Sequence, residues 1–229
     1  MAIKEKRNMK KQTALIVGGS SGLGLELGHL LSESHQVFVT GRRDPKQKDA
    51  TFVPLELGGG NLAENLDKLI GNLPNIDLLV YAAGFYQEGK IDELSDDDIR
   101  KMENVGLLAP VLLVQRIIKK QDSLAGLVAI TSTSQWTPRL LESPYTAVKA
   151  GLAMFANSLS LDPRIGKVLV AGPAGMATRF WENNPRDTSK MLDPKWVAKQ
   201  ILELYEENFK YEFARIMRDP PRVEVVETR

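Results

Sequence analysis

The chain has 229 residues, of which 43% are hydrophobic and 26% are charged, and its formal net charge is +1. This composition is that of an ordinary globular protein with one large domain, and it argues against disorder and against a broad nucleic-acid-binding surface. The absence of cysteine excludes disulfides, thiolate nucleophiles and zinc–thiolate sites and suits a reducing compartment, so we expect a cytoplasmic protein.

The first twelve residues are basic and precede the first apolar segment. No apolar region of the kind found in a secretory signal follows them, and no stretch approaches the roughly 18 apolar residues of a membrane span. We expect residues 1–12 to form a flexible, solvated arm and residues 13–229 to form one domain. A tether to nucleic acid or membrane is the alternative for the arm, although short basic runs are usually just exposed.

Apolar β-prone runs alternate with segments of helical periodicity along the rest of the chain. Strands are predicted within residues 13–17, 37–40, 51–57, 76–82, 126–131 and 167–171, and residues 222–226 are candidates for a seventh. Helices are predicted over residues 21–32, 61–70, 95–119, 144–161 and 194–207, and Pro110 is expected to kink or split the third. This alternation predicts an α/β fold: a single Rossmann-type, doubly wound domain with a mainly parallel sheet of six to seven strands.

A run rich in glycine and serine connects the first strand to the first helix. Its spacing is G-x-x-x-G-x-G, in the segment Gly18-Gly19-Ser20-Ser21-Gly22-Leu23-Gly24. Glycine lets a backbone turn tightly and approach a pyrophosphate, and the start of a helix offers free N–H groups to an anion. A glycine-rich turn without a ligand is the alternative, which the position directly after the first strand disfavours.

Several polar residues farther along the chain have side chains that could take part in one reaction. Tyr145 and Lys149 are four residues apart in a predicted helix and so share one face. A neighbouring cation lowers the pKa of a phenol from about 10 toward the range where acid–base catalysis is effective. Ser132 lies thirteen residues before Tyr145, directly after the fifth strand, with Ser134 as the fallback for its role, and Asn104 lies in the third helix. The structural alternatives are that Lys149 is simply an exposed lysine, that Ser132 caps the end of a strand and that Asn104 is a polar residue inside a helix.

Together these motifs resemble the short-chain dehydrogenase/reductase family, over about residues 13–178. The glycines match the family's T-G-x-x-x-G-x-G pattern, with Val17 in place of the threonine. The resemblance implies an oxidoreductase that interconverts a carbonyl and an alcohol by hydride transfer. It implies that Tyr145 is the acid/base, that Lys149 lowers its pKa, that Ser132 holds the carbonyl and that Asn104 belongs to a water relay. No metal is needed for this chemistry.

The resemblance also implies a nicotinamide cofactor. Gly41, at the end of the second strand, stands where relatives that prefer NAD carry Asp, and Arg42 and Arg43 follow it. NADP(H) is therefore predicted over NAD(H). A pair of ordinary surface arginines is the alternative. Tyr81 and Ala82 stand where the family often has two Asn. The predicted cofactor-binding residues are Gly18, Ser20, Ser21, Gly22, Leu23, Gly24, Arg42, Arg43, Glu56, Leu57, Ala82, Ala83, Gly84, Tyr145, Lys149, Pro173, Met176 and Thr178.

Residues 179–193 are predicted to form a substrate loop in which Phe180 and Trp181 offer apolar contact. Trp136 is either the opposite wall of the pocket or a core residue. We expect a small carbonyl or alcohol substrate, no nucleic-acid or membrane partner, and a homodimer formed by the helices at residues 95–119 and 144–161. The charged tail at residues 218–229 disfavours a tetramer.

Two other functions are consistent with parts of the sequence. A regulator or sensor that binds NADP(H) without turnover would need only the phosphate loop and Arg42, because a fold does not imply a chemistry. A DNA-binding protein would use the basic arm, which the near-neutral net charge disfavours.

Overall fold

The computed structural model describes residues 11–182, 184 and 186–229. These residues form one sheet with helices on both faces. The strands are β1 (Gln12–Val17), β2 (His35–Gly41), β3 (Thr51–Pro54), β4 (Leu78–Tyr81), β5 (Leu124–Ile130), β6 (Ile165–Pro173), β7 (Tyr211–Arg218) and β8 (Pro221–Thr228). The helices are α1 (Gly22–Leu31), α2 (Leu62–Asn72), α3 (Asp96–Glu103), α4 (Ala109–Gln121), α5 (Ser143–Leu159) and α6 (Pro194–Glu206).

The order of strands across the sheet is β3-β2-β1-β4-β5-β6-β7-β8, and every neighbouring pair is parallel except β7 and β8. The chain runs outward from β1 to β3 and then returns to β4 on the other side of β1. Such a reversal leaves a crevice at the carboxyl ends of the two central strands, where doubly wound proteins bind ligands. The topology therefore places a site after Val17 and Tyr81.

The central strands are apolar along their whole length because helices cover both faces of the sheet. In β1, the side chains from Ala14 to Val17 are completely buried. One face packs against α2, α4 and α5 through residues such as Leu66, Leu113 and Leu152, and the other packs against α1 and α6 through Leu27 and Ile201. These two layers hold the carboxyl ends of the strands in fixed positions.

The helix predicted over residues 95–119 is split by a π-helical turn, Asn104–Leu108, between α3 and α4. The predicted kink or split is confirmed, but it precedes Pro110 rather than centring on it. In the π register, the carbonyl of Val105 would accept from the N–H of residue 110, and proline has none. The hydroxyl of Tyr81 donates to this carbonyl instead, at 2.5 Å, so β4 supplies the bond that the helix lacks.

The predicted strand count of six to seven is too low by at least one, since the described residues contain eight strands. The missed strand is β7, in which Glu212 and Arg215 interrupt the apolar pattern. Glu212 is nevertheless buried, and its carboxylate accepts from the hydroxyl of Thr228 on β8 at 3.0 Å. Residues 222–226 do form a strand, as part of the antiparallel β8 at the edge of the sheet.

The predicted arm at residues 1–12 lies outside the described residues except for its last two. Gln12 already belongs to β1, and the ammonium of Lys11 donates to the backbone carbonyls of Ser32 and Glu33 at the end of α1. In the part of the chain that is described, no helix combines the length and the apolar character that crossing a bilayer requires.

Candidate active site

A cleft of about 730 Å³ lies at the carboxyl ends of the parallel strands, where the topology places it. All of the predicted cofactor-binding residues line it, from Gly18 in the phosphate loop to Thr178 after β6. Ser132, Tyr145 and Lys149 of the predicted catalytic set also line it. Asn104 is not among the described residues that form its wall.

The phosphate loop is held by close backbone approach. Gly18 adopts a left-handed φ of +87°, and a Cβ there would lie 2.5 Å from the backbone nitrogen of Ala83. A Cβ on Gly24 would lie 2.3 Å from the carbonyl oxygen of Gly18. A side chain at Gly18 would force the loop away from the end of β4, and one at Gly24 would force α1 away from the loop, so both glycines are needed for the shape of the loop.

The amino end of α1 opens onto this loop. Ser21 precedes the helix in an extended conformation, and its hydroxyl makes no capping hydrogen bond. The first N–H groups of α1 are therefore not capped by this side chain and remain available to a ligand. Uncapped N–H groups together with the positive end of the helix dipole form an anion-binding site.

Two arginines form the far end of the cleft, beyond β2. Arg42 and Arg43 are exposed and form no ion pair with a described residue. Gly41 packs so closely on Ser20 that a Cβ would lie 2.2 Å from the serine hydroxyl oxygen. An aspartate at position 41 would force the side chain of Ser20 to move. Glu56 lies on the same wall, where its carboxylate accepts from the N–H of Gly58 at 2.8 Å.

Tyr145 and Lys149 project from the first turns of α5 into the cleft, on one face as their spacing predicts. Both side chains are buried, and the ammonium of Lys149 donates to the carbonyl of Ile130 at 3.0 Å. Burial lowers the pKa of Lys149 from its ordinary value of 10.5 to about 8. Burial also raises the pKa of Tyr145 well above its ordinary value, and a hydrogen bond with Ser132 partly opposes this.

One detail differs from what the sequence predicted. The pKa of Tyr145 was expected to be lowered, but it is raised, because removal of the phenolate from water outweighs the favourable contacts. Asn104 begins the π-helical turn at the end of α3, outside the described wall of the cleft, and its place in a water relay to Lys149 stays a prediction. The structure therefore brings three of the four predicted catalytic residues together.

A network that the sequence did not predict as a unit surrounds Ser132. The hydroxyl of Ser132 lies 3.2 Å from that of Ser134, which in turn lies 2.8 Å from a carboxylate oxygen of Glu142. Arg139 donates to Ser134 at 2.6 Å and to Glu142 at 3.1 Å. Ser134 and Glu142 are buried and Arg139 is partly exposed, so Ser132 lies next to a largely buried ionic cluster.

The predicted substrate loop closes over the same region. Trp181 donates from its indole nitrogen to the carbonyl of Met176, and Thr178 accepts from the N–H of Phe180. Tyr86, which the sequence did not single out, stacks at 6.0 Å on Phe180 and meets Tyr145 edge-on at 5.0 Å. The loop thus forms an aromatic wall above Tyr145.

Polar contacts fasten this loop to the segment after β4. The amide of Asn184 accepts from the N–H of Glu88 and donates to the carbonyl of Tyr86. Arg186 donates to the hydroxyl of Tyr86 at 2.8 Å and to the carboxylate of Glu88 at 2.5 Å. Asn183, which belongs to the predicted loop, lies outside the described residues.

The remaining wall comes from Trp136 and from the C-terminal hairpin. Trp136 has both of its predicted placements, since it lines the cleft and also packs on Phe213 at 5.6 Å and under the guanidinium of Arg215. Met217 and Arg218, at the end of β7, complete the wall. They escaped prediction because β7 itself was not predicted.

Comparison with known proteins agrees with this architecture. Residues 12–189 match the short chain dehydrogenase family. The short chain dehydrogenase helC of Aspergillus fumigatus is 30% identical over 210 residues, which cover 82% of this chain and 80% of helC. The uncharacterized oxidoreductase YohF of Escherichia coli is 31% identical over 80% of both chains.

Solved structures share the fold at lower identity. A short-chain dehydrogenase from Sphingobium yanoikuyae in complex with NADPH is 18% identical and has a TM-score of 0.79, covering 89% of this chain and 87% of that one. The match over residues 12–189, together with the two curated relatives, identifies this chain as a member of the short-chain dehydrogenase/reductase family of oxidoreductases.

Proposed function

We propose that the protein is an NADP(H)-dependent oxidoreductase that interconverts a carbonyl and an alcohol. The observation that carries this proposal is the convergence of Ser132, Tyr145 and Lys149 in the cleft that also contains the glycine-lined phosphate loop. A nucleotide-binding loop beside an acid–base pair and a hydroxyl donor is the arrangement that hydride transfer to a carbonyl requires.

The residues fit a dinucleotide. Gly18 and Gly24 allow the loop to pack against Ala83 and against itself without side chains in the way, and the uncapped start of α1 faces an anion placed beside the loop. Ala83 and Gly84 would line the adenosine side of the cofactor, while Pro173, Met176 and Thr178 would hold the nicotinamide end. When bound, the cofactor supplies the hydride; the protein supplies the proton and the orientation.

A preference for NADP(H) is supported by the end of β2. Arg42 offers a planar guanidinium suited to a 2′-phosphate, and it is not engaged by a described carboxylate. Gly41 leaves no room for the carboxylate that selects NAD, since even a Cβ would meet Ser20. The Sphingobium neighbour, which was solved with NADPH, has the same fold.

In the proposed reaction, Tyr145 donates its proton to the carbonyl oxygen and recovers it in the reverse direction. Ser132 holds that oxygen by a hydrogen bond, and the positive charge of Lys149 favours the phenolate that Tyr145 becomes. Burial keeps Tyr145 protonated before the reaction, which suits an acid in the direction of reduction. For Asn104, a place in the water relay rests on the family resemblance alone.

The proposal is tested by following NADPH absorbance with a panel of ketones, aldehydes and quinones. Turnover by the parent protein that falls by roughly 10²–10⁴-fold in Tyr145→Phe is the expected result. Undiminished turnover in the variant would remove Tyr145 from the mechanism. Tight NADPH binding without turnover across the panel would favour the sensor, the second function that the cleft permits.

The homodimer and the cytoplasmic location expected from the sequence stay predictions. Sedimentation velocity of the purified protein and fractionation of cells that express it are the measurements that check them.

A further inference from the structure

One positive charge at the substrate end of the cleft lacks a counter-charge among the described residues. The described wall carries four guanidinium groups at this end, those of Arg139, Arg179, Arg186 and Arg218. Each of the first three lies 2.5–3.6 Å from a glutamate carboxylate. The exposed side chain of Arg218 forms no hydrogen bond or ion pair with a described residue. A bound anion would therefore meet an unneutralised guanidinium at Arg218.

The register of the sheet places Arg218 beside the nicotinamide end of the cleft. The strand β7 runs parallel to β6 with Ile216 opposite Pro173, and the N–H of Ala174 donates to the carbonyl of Ile216 at 2.8 Å. Arg218 lies two residues farther along and ends β7. It therefore leaves the sheet at the same edge as residues 173–178, which include the residues that the proposed function assigns to the nicotinamide.

This charge is too far from the proposed 2′-phosphate site to serve it. Arg42 follows β2, and five inter-strand steps separate β2 from β7 in the order of the sheet. At about 4.8 Å a step, these strands lie about 24 Å apart, and the phosphate loop after β1 is only one step nearer. Ser132 follows β5, which is two steps, or about 10 Å, from β7. An anion that Arg218 binds therefore belongs to the substrate.

The surface between the ends of β5 and β7 is apolar. Trp136 lies over the end of β6, where a Cβ on Gly172 would be 2.6 Å from its ring. Met191 and Met217 also line the cleft. A substrate that extends from Ser132 toward β7 would pass over indole and thioether groups, which favour an apolar body.

A second arginine of β7 adds positive charge behind this surface. The guanidinium of Arg215 lies 4.7 Å from the ring centre of Trp136 and forms no ion pair with a described residue. Glu224 stands opposite on β8, but it pairs with Arg222 at 2.7 Å. The charge of Arg215 therefore adds to the positive potential that an anion beside Arg218 would experience.

A carboxylate fits this arrangement better than a doubly charged group. A guanidinium presents paired N–H donors that match the two oxygens of a planar carboxylate. Arg215 is not among the residues of the described wall, so Arg218 alone is placed to make the contact. One guanidinium in contact balances one negative charge.

We propose that the substrate is a carbonyl compound with an apolar body and a carboxylate several bonds from the carbonyl, and that Arg218 determines specificity by binding this carboxylate. The hydride and the proton of Tyr145 go to the carbonyl carbon and oxygen, and the carboxylate is unchanged. The inference rests on the proposed function, because it names the substrate class of the same site. In a 2-oxo acid the two groups are adjacent, so such an acid would not span from Ser132 to Arg218.

The test compares 4-formylbenzoate and 5-oxohexanoate with their methyl esters, which keep the body and lose the charge. NADPH oxidation is followed with the parent, Arg218→Met and Arg218→Lys. We expect the ratio of kcat/KM, acid over ester, to fall by roughly 10- to 100-fold in Arg218→Met, mainly through KM for the acid, since a hydrogen bond to a charged group is lost. Arg218→Lys should retain part of the preference. Pyruvate should be reduced poorly by all three proteins.

A matched control separates contact from general electrostatics. Arg100→Met removes the same charge from the exposed surface of α3, outside the described wall of the cleft, and should keep the parent ratio. An equal ratio in the parent and in Arg218→Met would overturn the inference. The same fall in Arg100→Met as in Arg218→Met would also overturn it, because the effect would then come from net charge.

A binding measurement separates this inference from the proposed function. Calorimetric titration with 4-(hydroxymethyl)benzoate and with its methyl ester, in the presence of NADP⁺, needs no turnover. The parent should bind the acid more tightly than the ester, and Arg218→Met should bind both equally. If the parent reduces no carbonyl of the panel, the proposed function fails, and the titration still decides whether Arg218 binds a carboxylate. Equal affinity of the parent for acid and ester, or no detectable binding of either, would overturn the inference.

Discussion

The two ends of the cleft are built in different ways. At the phosphate end, the shape comes from backbone: Gly18 and Gly24 let segments approach so closely that a Cβ would meet backbone atoms within 2.5 Å. At the substrate end, the shape comes from side chains, in which a buried carboxylate, Glu142, organises hydroxyl groups and guanidinium groups around Ser132.

The difference explains what each end tolerates. A loop that is shaped by close backbone contacts accepts only glycine at fixed positions. It therefore leaves a recognisable spacing of glycines in the sequence, and it is distorted when a side chain is added at one of these positions. A side-chain network depends on charge balance and on hydrogen-bond direction, so a single substitution shifts the properties of its neighbours without emptying the site.

Gly18→Ala should abolish measurable NADPH binding. The new Cβ would lie 2.5 Å from the nitrogen of Ala83, at a φ of +87° that alanine rarely adopts, and the strain should also destabilise the fold by roughly 1–3 kcal/mol. Nucleotide fluorescence and thermal unfolding check both effects. Gly60→Ala is the control, because no atom lies within 4 Å of its Cβ position. Normal NADPH binding by Gly18→Ala would contradict the backbone account.

Lys149→Met should change how the free energy of unfolding depends on pH. The folded-state pKa of Lys149, about 8, is below its ordinary value of 10.5, so the unfolded chain binds more protons between these two pH values. Stability of the parent therefore rises with pH through that window, relative to the variant, by on the order of 3 kcal/mol. Denaturant unfolding at pH 7, 8.5 and 10 measures it. If the difference in free energy of unfolding between the parent and Lys149→Met stayed constant with pH, the ammonium of Lys149 would not be desolvated.

Arg42→Ala should weaken NADPH binding by about 1.5–3 kcal/mol, the usual value of a hydrogen-bonded charge, while leaving NADH binding unchanged. Titration of both nucleotides checks the selectivity. Lys46→Ala removes a cation from the same loop, where its ammonium is exposed and pairs only loosely with Asp44, and it serves as the control. Equal losses for NADPH and NADH would remove Arg42 from the 2′-phosphate site.

Tyr81→Phe should lower the free energy of unfolding by about 1–2 kcal/mol, because it leaves the buried carbonyl of Val105 without a donor. For a chain of this size, the midpoint temperature of thermal unfolding should fall by a few degrees. Tyr205→Phe is the comparison, since the pKa of its phenol is also raised by burial but no described residue accepts from its hydroxyl. Unchanged stability in Tyr81→Phe would mean that the carbonyl of Val105, which Pro110 cannot satisfy, does not depend on the hydroxyl of Tyr81.

The phosphate end was predictable because its physical requirement falls on single residue types. Glycine spacing after β1, and the tyrosine and lysine one helical turn apart, identified residues that all line the cleft. The α/β architecture followed in the same way from alternating strands and helices. These signals are local in sequence, so no knowledge of the three-dimensional packing was needed.

The substrate end was not predictable as a unit. Glu142 precedes a proline at a helix start, where a glutamate is ordinary, and its burial depends on Arg139 and on Tyr86 from a distant segment. The strand β7 was missed because Glu212 finds its partner, Thr228, only once β8 folds back. In both cases, a charged residue is buried by contacts that the sequence pattern does not contain.

Hydride transfer in this cleft is tested most directly with NADPH that carries deuterium at both hydrogen positions of nicotinamide C4, followed by mass spectrometry of the alcohol formed from an active carbonyl of the panel. The proposed function predicts that the parent protein produces the labelled alcohol and that Tyr145→Phe produces almost none while still binding NADPH. An unlabelled product, or equal label from both proteins, would contradict the assignment of this cleft to hydride transfer with Tyr145 as the acid.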